Sequence, residues 1–197
     1  MKHLFFISIV FCFLNCNPIK NADRLAEKNK KTIIYPEFNF STEVAKKQLE
    51  KGDGLIKGLL YKSTNKLSVT GAKSFGRGIK VDLYPVTDYF MAWYQLREKK
   101  ENKKTVVYLS DEAYAMRLET YTDDYGRFEF KEMKPGKYFL QAFMSTSKTY
   151  SRDVVVGTNS YGTQFYQKEN YNVVDHHRVE KFVEISKSGD IIEVKLN

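Results

Sequence analysis

The chain has 197 residues, of which 42% are hydrophobic and 28% charged, and its formal net charge is +8 at pH 7. That length holds one domain and a tail, and that apolar share excludes a disordered or low-complexity chain. Its 14 Tyr and 14 Phe suit pleated, half-buried surfaces, while two cysteines, Cys12 and Cys16, are too few for a disulfide scaffold.

The first element is a leader. Met1-Lys2-His3 is a short basic start, and residues 4–14 are apolar except for Ser8. Eleven helical residues rise about 16 Å, roughly half a bilayer core; the run is too short for a stable span and fits the apolar centre of a signal peptide. It closes on Phe13-Leu14-Asn15-Cys16. This resembles a bacterial lipobox, in which an apolar stretch leads to a cysteine that takes a diacylglycerol. Phe13 and Asn15 depart from the strict form, which has Leu and then Ala or Gly at those places, and match its relaxed kind. The resemblance implies a signal peptide at residues 1–15 and acyl chains on Cys16, which would bind the protein to a membrane at ~0.8 kcal/mol per buried CH₂. Cys12 leaves with the leader, so the mature chain has no partner for a disulfide. Ordinary cleavage nearby, leaving Cys16 free or removed, is the competing reading. Export argues against nucleic acid as the partner of a basic chain; an anionic membrane surface, an acidic partner or a simply solvated surface remain.

Residues 16–36 read as a lipidated, flexible tether, rich in Lys and poor in large apolar side chains, which stands off the membrane without packing a core. The domain then fills residues 37–197. Ser41 predicts a helix start, with Phe40 before it, Val44, Ala45 and Leu49 at helical spacing behind it, and Gly52-Asp53-Gly54 to end it near residue 51. From residue 55 the apolar period becomes two. It predicts strands at 55–61, 79–84, 105–109, 115–121, 127–130, 137–144, 152–156, 163–166, 171–185 and 191–196, interrupted by a helix at 88–100 capped by Asp88. Asp123-Asp124-Tyr125-Gly126, Lys134-Pro135-Gly136 and Ser188-Gly189-Asp190 have turn chemistry. Short strands, frequent turns and no βαβ rhythm indicate a mainly β fold: an antiparallel β-sandwich with a short N-terminal helix and a short helical insertion.

Gly58, Val81-Asp82-Leu83-Tyr84, Thr122-Asp123-Asp124-Tyr125-Gly126-Arg127-Phe128-Glu129-Phe130 and Lys134-Pro135-Gly136-Lys137-Tyr138 together resemble the carboxypeptidase regulatory-like domain, over about residues 54–145. The resemblance implies a transthyretin-like, Ig-like sandwich and a non-catalytic accessory or binding role. It carries no catalytic residue, cofactor or metal to this chain.

Two stretches are candidate contact surfaces. The first is residues 88–104, which interrupt the strands and so are expected at an edge or end of the sandwich, and where Tyr89, Phe90, Trp93 and Tyr94 precede Arg97, Lys99, Lys100, Lys103 and Lys104. Aromatics beside cations suit sugars, anionic lipids or an acidic protein face, and capping of the core is the competing use. The second is residues 157–166, where Tyr161 and Tyr166 stand among Gly, Ser, Thr and Asn, a composition suited to adaptable contact at the end of a sandwich; an ordinary hairpin is the competing use. His176-His177 lie on a predicted strand and point to opposite faces, which does not converge ligands on a metal. The expectation is a membrane-anchored, non-catalytic module of the bacterial envelope in contact with another envelope protein, or alternatively with a glycan; a hydrolase is the remote reading. No acidic cluster follows Cys16 in Asn17-Pro18-Ile19-Lys20, which favours the periplasmic side of the outer membrane. Replacing Cys16 by Ala is expected to release the protein from the membrane fraction of cells; retention there would refute the anchor.

Overall fold

The computed structural model describes residues 24, 26–63 and 73–197; the leader, Cys16 and the first part of the tether lie outside them, as do Gly71 and Ala72. In chain order the elements are β1 (Thr32–Ile34), α1 (Thr42–Gln48), β2 (Gly54–Ser63), β3 (Lys73–Phe75), β4 (Lys80–Pro85), α2 (Asp88–Lys100), β5 (Thr105–Val107), α3 (Asp111–Ala115), β6 (Leu118–Tyr121), β7 (Arg127–Met133), β8 (Gly136–Thr158), β9 (Gln164–Ile185) and β10 (Ile191–Leu196).

Strict alternation builds the first sheet. In β2, Ile56 and Leu60 are wholly buried while Lys57 between them faces solvent. β2 pairs with β7 antiparallel on one side and with β10 parallel on the other, and β3 continues the β7 side with antiparallel pairs to Tyr61, Lys62 and Ser63. Phe128, Phe130, Val194 and Leu196 turn inward with Ile56 and Leu60. Met133 is also buried, although it is an odd number of residues beyond Phe130. A bulge opposite Leu55, with Glu132 at φ 56°, absorbs the extra residue and restores the inward parity.

The second sheet, in the order β6–β4–β8–β9, is antiparallel throughout. Val81, Leu83, Tyr138, Leu140, Ala142, Val179 and Val183 face the first sheet and close the core between the two. The protein is therefore a β-sandwich, as the alternation predicted, antiparallel except where β10 runs parallel to β2. Tyr138 is locked at its edge: its hydroxyl donates to the Lys134 carbonyl at 2.8 Å, and burial pushes the phenol up to about 12.

Four local expectations need correction. The helical insertion does not lie at an edge or end. It packs on the outer face of the second sheet, where Phe90 and Trp93 join Tyr84, Phe139 and Val107 in a second core. This explains why residues 81–85 of β4 are buried on both faces. Thr87, not Asp88, caps the helix, its Oγ1 accepting from the Phe90 amide at 3.2 Å. The strand expected at 115–121 is shorter, because Ser110 caps the helix α3, accepting from the Ala113 amide at 3.3 Å, before β6 begins. Residues 32–34 of the expected tether do pack. They form β1, parallel to β5, and Ile34 joins the second core.

Gly58 has a structural reason to be glycine. It lies opposite Phe128 in register, and a Cβ there would sit 2.0 Å from the ring Cζ. Gly58→Ala forces the ring off its rotamer and is expected to lower stability by about 1–3 kcal/mol. The urea midpoint should fall and recover in part when Phe128→Leu is added; an unchanged midpoint would contradict the packing described.

Candidate functional site

The α2 face uses its aromatics internally. Tyr89, at 4% exposure, accepts from the Ser110 amide through its hydroxyl and meets Phe40 edge-on. Trp93, at 6% exposure, donates from Nε1 to the Val107 carbonyl at 3.1 Å and packs on Phe90 and Phe139. Tyr94 stands edge-on to Phe139 and Phe182. Of the candidates in this stretch, Tyr89 and Trp93 thus present no ring to a ligand.

Arg97 completes this layer. Its guanidinium lies over Trp93 and Tyr94 at 4.6 and 4.9 Å and grips Glu180 with both terminal nitrogens, at 2.7 and 2.6 Å. Glu180 also accepts from Gln141 at 2.6 Å. Register places Glu119, Asp82, Gln141 and Glu180 in one row across the second sheet. Cations neutralise the row: Lys80 and Arg117 at Asp82 and Glu119, and Arg97 and Arg178 at Glu180. The hydrogen bond from Lys80 holds the Glu119 carboxyl below its ordinary range, and the same bond raises Lys80. Each carboxylate of the row is matched by a fixed cationic partner, which is a structural use of charge.

Tyr161 and Tyr166 have a different setting from the expected loop. β8 and β9 are two continuous strands, paired from Gly136↔Ile185 out to Thr158↔Gln164, and only residues 159–163 turn between them. The roots of both strands lie in the sandwich; from residue 147 on β8 to residue 174 on β9, nearly every side chain is exposed. The ribbon beyond the core is about 40 Å long, from the ordinary rise per residue. One of its faces carries Ser147, Thr149 and Ser151 opposite Val174, Asn172 and Asn170, a row polar at every place but Val174. The other carries the stacked pair Tyr150–Tyr171, with centroids 5.8 Å apart, and Arg152, which lies over Tyr171 and pairs with Glu169 at 2.7 Å. At the tip the Asn159 side chain accepts from the Tyr161 and Thr163 amides, and Gly162 takes φ 81°. That turn leaves Tyr161 at 92% exposure, flanked by Val156, Phe165 and Tyr166 at 57, 54 and 60%. Among the described residues no strand pairs with the outer edge of β9.

His176 and His177 sit at the root of this arm, bonded to Ser145 and Thr146 respectively. Asp123 closes its turn, its Oδ1 accepting from the Tyr125 and Arg127 amides at 2.8 Å each. Sequence reasoning did not single out Tyr150 or its stacking on Tyr171. The available signal was the Ser145, Ser147, Thr149, Ser151 alternation, which marks a strand whose two faces are both wet.

A second concave surface lies over the first sheet. A cavity of about 920 Å³ is lined by Lys57, Leu59, Glu129 and Glu193, with Tyr121 and Asp123 on the β6 side and Lys181 on the β9 side. The Tyr121 ring is 65% exposed there.

No family model and no curated protein matches this chain. Among solved structures, a Pseudomonas aeruginosa protein described as a "putative carbohydrate binding protein" aligns with 80% of this chain and 98% of its own, at 24% identity and a TM-score of 0.51. The major pilin subunit of Bacillus cereus aligns with 74% of this chain and 30% of its own, at 16% identity and a TM-score of 0.31. The first likeness is one of fold.

Arg97→Met leaves Glu180 under the helix without its principal cation and is expected to cost about 3 kcal/mol. Adding Glu180→Leu should return most of that in urea titrations, since an apolar pair replaces a desolvated ionic one. A single substitution as stable as the parent would show that the pair is idle.

Proposed function

We propose that this chain is a non-catalytic binding module of the bacterial envelope, built on a sandwich of the carboxypeptidase regulatory-like type. In this reading acyl chains on Cys16 fix it to the periplasmic side of the outer membrane, and the β8–β9 arm engages an envelope protein. The observation that carries the reading is the arm. Isolated two-stranded ribbons are marginal in water, yet this one extends far past the core and ends in exposed Tyr161, Phe165 and Tyr166. Burying such a side chain contributes about 1.5–3 kcal/mol, and its open β9 edge suits strand addition, in which main-chain hydrogen bonds supply affinity and alternate side chains select the partner. Because the arm is already paired along its length, little ordering remains to be done on binding.

A carbohydrate reading has one observation in its favour, the cavity beside Tyr121, where an exposed ring adjoins Lys57, Glu129 and Glu193. The description attached to the Pseudomonas protein points the same way.

A photo-crosslinking phenylalanine analogue at Tyr161 or Tyr166 in cells separates the two. The arm reading expects a discrete protein adduct from both positions and none from Tyr125, which is 66% exposed but lies outside the arm. No adduct, or the same adducts from Tyr125, would contradict it. Glycan retention that is lost with Tyr121→Ala and kept with Tyr161→Ala would establish the carbohydrate reading instead.

A further inference from the structure

We infer that the outer face of the β1–β5 ribbon rests on an anionic lipid surface, so that the sandwich is seated on the membrane and not merely tied to it. The inference rests on the anchored reading above. β1 and β5 pair through Thr32↔Thr105, Ile33↔Val106 and Ile34↔Val107. Ile34 and Val107 turn into the second core, so the alternate positions turn out. Ile33, Tyr35 and Tyr108 are 51, 52 and 49% exposed, and the two tyrosine rings lie 6.5 Å apart. Phe38 adds a further exposed ring, at 54%.

Charge specifies what covers this face. The Thr32 amide donates to the Lys104 carbonyl at 2.8 Å, which brings Lys30 and Lys31 beside Lys103 and Lys104. Lys99 and Lys100 end α2 just before them. Residues 24–40 and 98–109 together hold eight cations (Arg24, Lys28, Lys30, Lys31, Lys99, Lys100, Lys103, Lys104) against four carboxylates (Glu27, Glu37, Glu98, Glu101), so these two short stretches carry +4 of the chain's +8. Tyrosines bordered by lysines are the side chains that partition to a headgroup layer: the rings sit at the apolar boundary and the ammonium groups meet phosphate. The chain's path agrees. The segment bearing the apolar run and Cys16 leads into the fold at β1, on this face. Sixteen positions separate Cys16 from Thr32, so the anchor keeps this face within reach of the headgroups, and contact brings it onto them.

The test places an environment-sensitive dye on Ile33→Cys, on the outward face, in the full acylated chain, in vesicles of phosphatidylcholine with or without phosphatidylglycerol, with headgroup spin-labelled lipid as quencher. Seating predicts strong quenching in the anionic vesicles and weak quenching in the neutral ones, with a dye on Tyr125→Cys unquenched in both. Tyr35→Ser with Tyr108→Ser should abolish the quenching while the protein still floats with the vesicles. Each of Lys30, Lys31, Lys103 and Lys104 replaced by Gln should weaken it about fivefold. Protein that floats with the vesicles while its Ile33→Cys dye stays as unquenched as the Tyr125→Cys dye would overturn the seating and leave the anchor standing. Protein that does not float at all would overturn the anchored reading and the seating with it.

Discussion

The rest of the molecule depends on the β8–β9 ladder. At its root the ladder is clamped from both sides. Tyr138, Leu140 and Ala142 point at the first sheet, and Phe139 points at α2, so residues 138–142 are buried on every face. A strand held this way cannot shift register by one residue without exchanging its two cores. The same hydrogen-bonded pairing then continues past both cores, where no packing supports it. The arm is thus a cantilever: the energy that fixes its direction and register is supplied at the sandwich, and its distal side chains are left free of structural duty.

This division explains where exposed aromatics lie. Trp93, Tyr94, Phe139 and Phe182 interlock over the second sheet and Arg97 seals them, its charge matched by Glu180 beneath. The rings available to a partner are those the cores do not use, at the arm tip, beside the first-sheet cavity and on the β1–β5 ribbon. Three separate surfaces on one small sandwich suit a protein that holds one thing while resting on another.

Much of the sandwich was legible because burial on one face leaves a period of two. Val81 and Leu83, Phe128 and Phe130, and Val194 and Leu196 all show it, and Asp123 with Gly126 marked its turn correctly. The helix at Ser41 was equally plain from its cap, though it ends at Gln48, ahead of the glycine stop expected near residue 51. Three features were not legible, for distinct reasons. β4 and β8 are covered on both faces, so Asp82 and Tyr84 break no alternation that would betray the helix above them. β1 and β5 are three residues each and pair in parallel across 73 positions of sequence, which no local period reports. Beyond residue 146 neither face of the arm meets a core, so residues 147–151 lack apolar alternation and fall between two predicted strands although they are one strand. For the candidate residues, spacing alone could not distinguish a ring aimed at a ligand from one aimed at Phe139.

The central claim is that the arm recognises and the sandwich merely holds it. Excising residues 147–174 and joining Thr146 to Asp175, a cross-strand pair, through an Asn-Gly turn tests this most directly. The account predicts a protein whose urea midpoint matches the parent's and which recovers no envelope partner from cells. Recovery of the same partner by the shortened chain, at an unchanged midpoint, would contradict it.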